Sequence, residues 1–439
     1  MYMNNLSEIF DDNIILGAGL AGLSACYHTK DTIVYEASSF PGGHARSTII
    51  NGFIFDFGIH VLHTKNNSVL KILEDIGVDL LNVERNAWIY SNNTYTRYPF
   101  QANTYGLPPD IIKDCLIGFI ENKHTKDHTI ENYKEWILHM FGEGYASHFM
   151  LPYAEKFWGV KPEELNTDWV NVRHPRPSIE EVISGALMDQ KKGFGVNSTF
   201  RYPLNGGYGK LADQFASKLK GRVKYKMKAT FLDPINKKIV FNNKLEVNYN
   251  KILSTLSLPS ILSIIKNVPE YILQASELLR SNSFIVVNIG INKPDLTDKS
   301  WVYFSDENIS FVRASFPANL SKNCVPNGTS SISLEISHGP VKFNTESDSE
   351  IIEKAISDLI KIGILSGKEE ILFAKCERIK NAYVVFDENR KPSVEIIHNY
   401  LEEIGVVPSG RFGMWAYLWS DESIINGKVA GTRTFSRKL

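Results

Sequence analysis

The clearest chemistry near the start of the chain lies in six residues, Gly17-Ala18-Gly19-Leu20-Ala21-Gly22. They follow an apolar run, NIIL, and open another, LAGLSACY. Glycine at the first position permits a tight turn. At the second it lets a pyrophosphate approach the backbone, and at the third it lets a helix pack closely on a strand. The free amides and positive dipole at such a helix start suit phosphates. Glu36 ends the next apolar run, 19 residues after Gly17. A carboxylate there accepts hydrogen bonds from a ribose and repels a 2′-phosphate. Elsewhere no Ser/His/Asp or Cys/His set stands out, and no metal-ligand pattern such as HExxH occurs, so no metal is expected. Four cysteines (Cys26, Cys115, Cys324, Cys376) lie far apart without a CxxC pair and read as reduced thiols. The chemistry therefore falls to a bound dinucleotide cofactor.

The elements that would position this motif follow from pattern. Residues 13 to 36 read strand, glycine turn, helix, strand. Residues 108 to 190 read mainly helical, with periodic apolar positions in PDIIKDCLIGFIE and IENYKEWILHMFG. Residues 222 to 256 alternate in short strands and end in a strand that runs into a helix. Between 282 and 336 come the strands FIVVNIGI, WVYF, FVRASF and SISLEIS, followed by a helix from Ser347 to Ile364. The last 30 residues return to a glycine-rich turn, GRFGMWAY, and a helix containing INGKVAG. Strands that alternate with helices and strands that follow one another predict a parallel sheet plus a separate antiparallel one. The chain is long enough, at 439 residues, for two or three domains. With 48 basic and 49 acidic residues its net charge is −1, so no global field draws it to nucleic acid or to an anionic membrane. The first dozen residues lack the pattern of a signal peptide, and no apolar run is long enough to span a bilayer, which predicts a cytoplasmic protein.

A second glycine turn, Pro41-Gly42-Gly43-His44-Ala45-Arg46, follows the ribose acid closely. Together with the late Gly410-Arg411-Phe412-Gly413, it resembles the two-dinucleotide-binding-motif flavoproteins, which implies FAD rather than NAD. Further motifs resemble the UDP-galactopyranose mutase family. The segment Asp56-Phe57-Gly58-Ile59-His60-Val61-Leu62-His63-Thr64 is similar to its bacterial form. Closer to the eukaryotic form are Tyr98-Pro99-Phe100-Gln101, Phe149-Met150-Leu151-Pro152-Tyr153, the stretch from Asn197 to Pro203, and Trp301-Val302-Tyr303. These motifs keep the family's order from about residue 13 to 430.

The resemblance implies an α/β fold: a discontinuous Rossmann-like FAD-binding domain (1–80, 195–265, 395–439), a helical substrate-side domain (105–194) and an antiparallel β-sheet domain (81–104, 266–394). It implies an isomerase that interconverts pyranose and furanose forms of a nucleotide-diphosphate sugar, UDP-galactose foremost, with N5 of the reduced flavin as nucleophile and no net redox change. Such an enzyme serves cell-surface polysaccharide biosynthesis. It needs an electron donor, NAD(P)H or a reductase, and the resemblance leaves a homo-oligomer open. Residue by residue, it carries the diphosphate arginines to Arg173 and Arg313 and a flavin-side histidine to His60. Around the substrate it carries over Tyr98, Gln101, Phe149, Tyr153, Asn197, Tyr303, Tyr383, Tyr417 and Asp421. Around FAD it adds Gly17, Gly19, Gly22, Glu36, Gly42, Gly43, Arg46, Arg85, Gly410 and Arg411. Guanidinium groups suit a diphosphate because they donate charge-assisted, bidentate hydrogen bonds. Two positions depart from the eukaryotic pattern: Ala154 and Asp421 stand where that form has asparagines. Two other classes share parts of these features. One is a flavin oxidase of the amine oxidase or protoporphyrinogen oxidase type, which needs no diphosphate arginines and has an apolar or aromatic-walled cavity. The other is a non-catalytic flavoprotein that binds a nucleotide sugar.

Overall fold

The computed structural model describes residues 9–10, 13–122, 129–170, 174–190, 198–340 and 346–436. The glycine motif sets its first layer. Strand Asn13–Leu16 ends at Gly17, whose φ of +94° turns the chain into helix Leu20–Tyr27. Every residue of that helix from Leu20 to Cys26 is buried, because it is covered on two sides. Beneath it lies the strand, and over it lies the C-terminal helix Ser420–Phe435. Both contacts depend on missing side chains. A Cβ on Gly22 would stand 2.1 Å from the Gly17 carbonyl oxygen, and one on Gly427 would stand 2.0 Å from that of Ala21.

Asn13–Leu16 is the central strand of a five-stranded parallel sheet. Its order is Val223–Lys224, Ile33–Tyr35, Asn13–Leu16, Lys251–Ser254, Val406–Pro408. Strands from three distant parts of the chain thus bring Gly17, Glu36, Thr255 and Gly410 to one edge. In open α/β sheets, ligands bind at that carboxyl-terminal edge. A smaller sheet of Ile9–Phe10, Leu245–Asn248, Lys238–Phe241 and Ala229–Asp233 packs beside it.

The other large sheet has seven strands, in the order Ile371–Val384, Ser281–Ile291, Ser330–Ser337, Arg313–Ser315, Trp301–Phe304, Ala87–Ser91, Thr94–Arg97. Sequence patterning predicts an antiparallel sheet, and all pairs but one are antiparallel. Ala87–Ser91 runs parallel to Trp301–Phe304. It arrives from a distant part of the chain, so no hairpin dictates its direction. Ser281–Ile291 is buried along nearly its whole length, which explains its unbroken apolar run. Ile285, Val287, Ile289 and Ile291 meet the helix Asp348–Lys361 on one side. Phe284 and Val286 meet the helical region on the other, among Phe157, Trp158 and Val182. That region comprises helices Pro109–Asn122, Tyr133–Tyr145, Leu151–Trp158 and Ile179–Leu187. No described helix is long and apolar enough to cross a membrane.

Gly22→Ala tests the packing under the turn. The added methyl would have to displace backbone, and overpacking of this kind costs about 1–3 kcal/mol. Thermal unfolding is expected several degrees lower, whether or not ligand is present.

Candidate functional site

A cavity of about 600 Å³ opens along the carboxyl edge of the parallel sheet and runs to the seven-stranded sheet and the helical region. At its first end Gly17, Gly19, Gly42, Gly43 and Gly410 form a backbone wall. Gly42 donates its N–H to Ala18 O at 2.8 Å, which locks the second glycine turn onto the first. Gly19 caps the helix without a side-chain partner, and a Cβ placed on it would meet no atom within 4 Å. The space in front of Gly19 is therefore cavity, which is where a pyrophosphate would need it. Glu36 lines the same end, its oxygens fixed by the amides of Ala18 (2.7 Å) and Ser38 (2.8 Å). Two residues expected at the cofactor lie off this wall. Gly22 is under the helix, where close packing needs it. Arg46 stacks over Phe57, with its guanidinium carbon 3.5 Å from the ring centre.

Past the glycines the wall carries charge. Arg313 pairs with Glu335, a buried carboxylate on strand Ser330–Ser337. The other oxygen of Glu335 accepts the amide of Ile59 at 2.8 Å. Burial opposes the charge of Arg313, but Glu335 together with Tyr383, Tyr303 and Tyr153 outweighs it and holds its pKa above the ordinary value. The Arg313 Nε is buried and makes no hydrogen bond. Arg411 lies between Tyr383 and Tyr417, 4.7 and 4.8 Å from their ring centres, and its Nε and Nη2 are likewise buried without acceptors. Arg85 covers the Tyr98 ring at 4.8 Å. His60 stacks on Tyr208 and shares a hydrogen with Gly58 O at 3.0 Å. Burial above all, then Arg411 and Arg313, push its pKa down to about 4 against the raising effect of that hydrogen bond. At neutral pH it is a neutral ring, and its Nδ1–H donates to Gly58 O.

The far end is aromatic. Phe149 stacks between Phe100 (4.8 Å) and Tyr153 (5.3 Å), and Tyr153 meets Tyr303 edge-on at 5.6 Å. Gln101 is buried there, its amide donating to Pro175 O at 2.8 Å. Ala154 and Asp421 also line the cavity. The structure thus brings together, on one wall, all the expected site residues except Gly22, Arg46, Arg173 and Asn197. Arg173 and Asn197 lie outside the described residues. Sequence reading missed His44, His63, Trp158, Trp169 and His174, which share the wall. His44 carries the strongest unread signal, since it sits inside the second glycine turn. Burial first, then Arg411, His60 and Arg46, push its pKa down to about 3. Among the described residues no His/Cys/Asp/Glu group could hold a metal ion.

Residues 20–372 match the model of the flavin-containing amine oxidoreductases. The chain belongs to that family. Its cofactor is FAD, and the open space at Gly19 together with the unpartnered donors of Arg411 fits an anionic dinucleotide. Among curated relatives, coproporphyrinogen III oxidase of Staphylococcus aureus is 29% identical over 107 residues, 22% of either chain. Protoporphyrinogen oxidase 2 of Arabidopsis thaliana is 35% identical over 68 residues, 15% of this chain and 13% of its own. The chain therefore spans about a fifth or less of the curated relatives it matches. Among solved structures, reduced UDP-galactopyranose mutase superposes with a TM-score of 0.89 at 28% identity, covering 96% of this chain and 95% of the other.

Gly19→Val separates cofactor binding from folding. The Cβ of the branched side chain would enter the cavity and meet no atom within 4 Å, so the flavin-free protein should still fold, with a melting temperature lowered only by the poorer helix cap. The purified variant should lack the yellow flavin chromophore. Full flavin occupancy in it would show that the pyrophosphate lies elsewhere.

Proposed function

We propose that this flavin enzyme interconverts the pyranose and furanose forms of a nucleotide-diphosphate sugar, UDP-galactose in the first instance. The observation that carries this reading is the near full-length likeness to UDP-galactopyranose mutase. The described wall supports it, because cationic donors lie between an aromatic end and the flavin end of one cavity. Bound and reduced, FAD would supply an electron-rich ring nitrogen as nucleophile and recover its electrons at the end of the cycle.

The chain's own groups bind, orient and stabilise. Phe149 and Tyr153, already stacked on their neighbours, would pack ring edges against a base, and Gln101 offers its side-chain oxygen. Negative charge grows on the diphosphate as its bond to the sugar breaks. Arg313 holds an N–H donor that no protein acceptor uses, and it suits that growing charge. Arg173 completes the set in this proposal. Burial raises the pKa of Tyr383, so its hydroxyl stays protonated and able to donate. The neutral rings of His60 and His44 add no competing charge.

A flavin oxidase is the second reading, favoured by the family match and by the aromatic wall. It gives no role to the open donor of Arg313.

Oxygen and redox state discriminate the two. Chemically reduced protein kept without oxygen is expected to convert UDP-galactopyranose to the furanose, followed by chromatography and mass analysis, through many turnovers per flavin. The oxidised form should be inactive. Product formed one-for-one with oxygen consumed would sink the mutase reading.

Arg313 also serves the fold, so its variants must be chosen accordingly. Arg313→Lys keeps a cation beside Glu335 but loses the planar fork, and should weaken nucleotide-sugar binding roughly tenfold with little change in melting temperature. Arg313→Ala should in addition lose about 3–5 kcal/mol of stability, because it strands a buried carboxylate. Calorimetric titration and thermal melts of both variants read the two effects separately.

A further inference from the structure

The first turn of helix Ser420–Phe435 puts Asp421 on the cavity wall. The other carboxylates near this wall are committed. Glu36 accepts two amides, and Glu335 holds Arg313 and the Ile59 amide. Asp421 is half-buried and has no ion pair or hydrogen bond to a described residue. A carboxylate left unpaired in a partly closed cavity is costly unless a ligand supplies donors. The helix N-terminus behind it offsets only part of that cost.

Its place along the wall tells which part of a ligand it meets. From the aromatic end, Tyr153 touches Tyr303, Tyr303 touches Tyr98 at 5.3 Å, and Arg85 covers Tyr98. Arg85 and Asp421 both act electrostatically on His63, and Ser420, next to Asp421, hydrogen-bonds Tyr208 beneath His60. Burial lowers the pKa of His63, so this ring does not neutralise the carboxylate at neutral pH. Asp421 is therefore grouped with His63, Arg85 and Tyr208 rather than with Phe149 and Tyr153. It makes no ion pair with Arg313, the described cation assigned to the diphosphate, which pairs with Glu335 instead.

We infer that Asp421 is a specificity-determining residue that accepts hydrogen bonds from sugar hydroxyls, so that the cavity takes diphosphate esters of hydroxyl-rich neutral sugars and rejects those of acidic sugars. This rests on the nucleotide-sugar reading of the cavity. An ionised carboxylate only accepts hydrogen bonds. A sugar hydroxyl answers it with a charge-assisted donor, whereas a uronate carboxylate meets it as a like charge.

The test uses FAD-loaded protein and its Asp421→Asn variant, which keeps shape and removes charge. Calorimetric titrations with UDP, UDP-galactose and UDP-galacturonate give three affinities for each. UDP should bind both proteins equally, since it lacks the sugar. UDP-galactose should bind the variant about tenfold more weakly, as expected for loss of a charge-assisted hydrogen bond. The preference for galactose over galacturonate should narrow by at least the same factor. A melting temperature equal to wild type shows that the change is local. Unchanged UDP-galactose affinity would overturn the inference. So would tighter UDP binding in the variant, which would place the carboxylate beside the diphosphate. If wild type binds neither UDP nor UDP-galactose, the nucleotide-sugar reading itself fails and takes this inference with it.

Discussion

One buried carboxylate, Glu335, ties the two halves of the molecule together. It lies on an inner strand of the seven-stranded sheet, almost wholly out of water. An isolated carboxylate there would pay a large desolvation cost, so the fold must bring it partners. One partner is Arg313, on the neighbouring strand and in register with it. The other is the amide of Ile59, which belongs to the segment leaving the hairpin Ser47–Ile50/Phe53–Asp56 beside the cofactor edge. Satisfying one charge therefore fixes the sheet wall against the segment that carries His60. It also fixes how much of Arg313 remains for a ligand. The guanidinium is held at one corner by protein, and its Nε has no acceptor.

The same economy of charge explains how a chain of net charge −1 builds a receptor for anions. Nothing at long range attracts phosphate. Recognition is local and of two kinds. At the parallel-sheet end it is made of backbone, with Gly17, Gly19, Gly42 and Gly43 leaving room for amides to approach. At the tyrosine end it is made of guanidinium groups held between aromatic rings, where low polarity strengthens each charge-assisted bond. Neutral His44 and His60 lie between the two ends. Burial and the nearby arginines keep them uncharged, so the cations do their work without extra positive charge crowding the flavin region.

Legibility in the sequence followed locality. The turn from Asn13 to Glu36 was readable because its constraints are short-range: a tight turn, a close approach and a strand end. The apolar run Phe284–Ile291 announced a strand, and strand Ser281–Ile291 is one, buried along nearly its whole length. Strand Ile371–Val384 and helix Arg390–Glu403 gave no such signal. The strand is an edge strand rich in lysine, arginine and glutamate, and the helix mixes charges with its apolar positions. The parallel pairing of Ala87–Ser91 was also invisible, since it depends on where a distant segment docks. Site residues behaved alike. Those in compact motifs, such as Phe149 and Tyr153, were found. Trp169 and His174 reach the cavity through tertiary packing, and their immediate neighbours carry little trace of it.

The fold and the flavin are common property of the family, so the reaction must be argued from the wall. Aromatic lining by itself decides nothing, because an oxidase cavity and a nucleotide-stacking cavity both want flat apolar faces. Buried donors are more selective. An arginine placed out of water with unused N–H groups costs stability that a substrate without acceptors would never return. Arg411 carries two such groups and Arg313 one, on the same cavity that presents the glycine cradle. FAD answers the two groups of Arg411, but a small amine would leave that of Arg313 unsatisfied and add a like charge beside it. A ligand with anionic oxygens satisfies it, so the chemistry of a diphosphate ester fits this wall better than that of an amine.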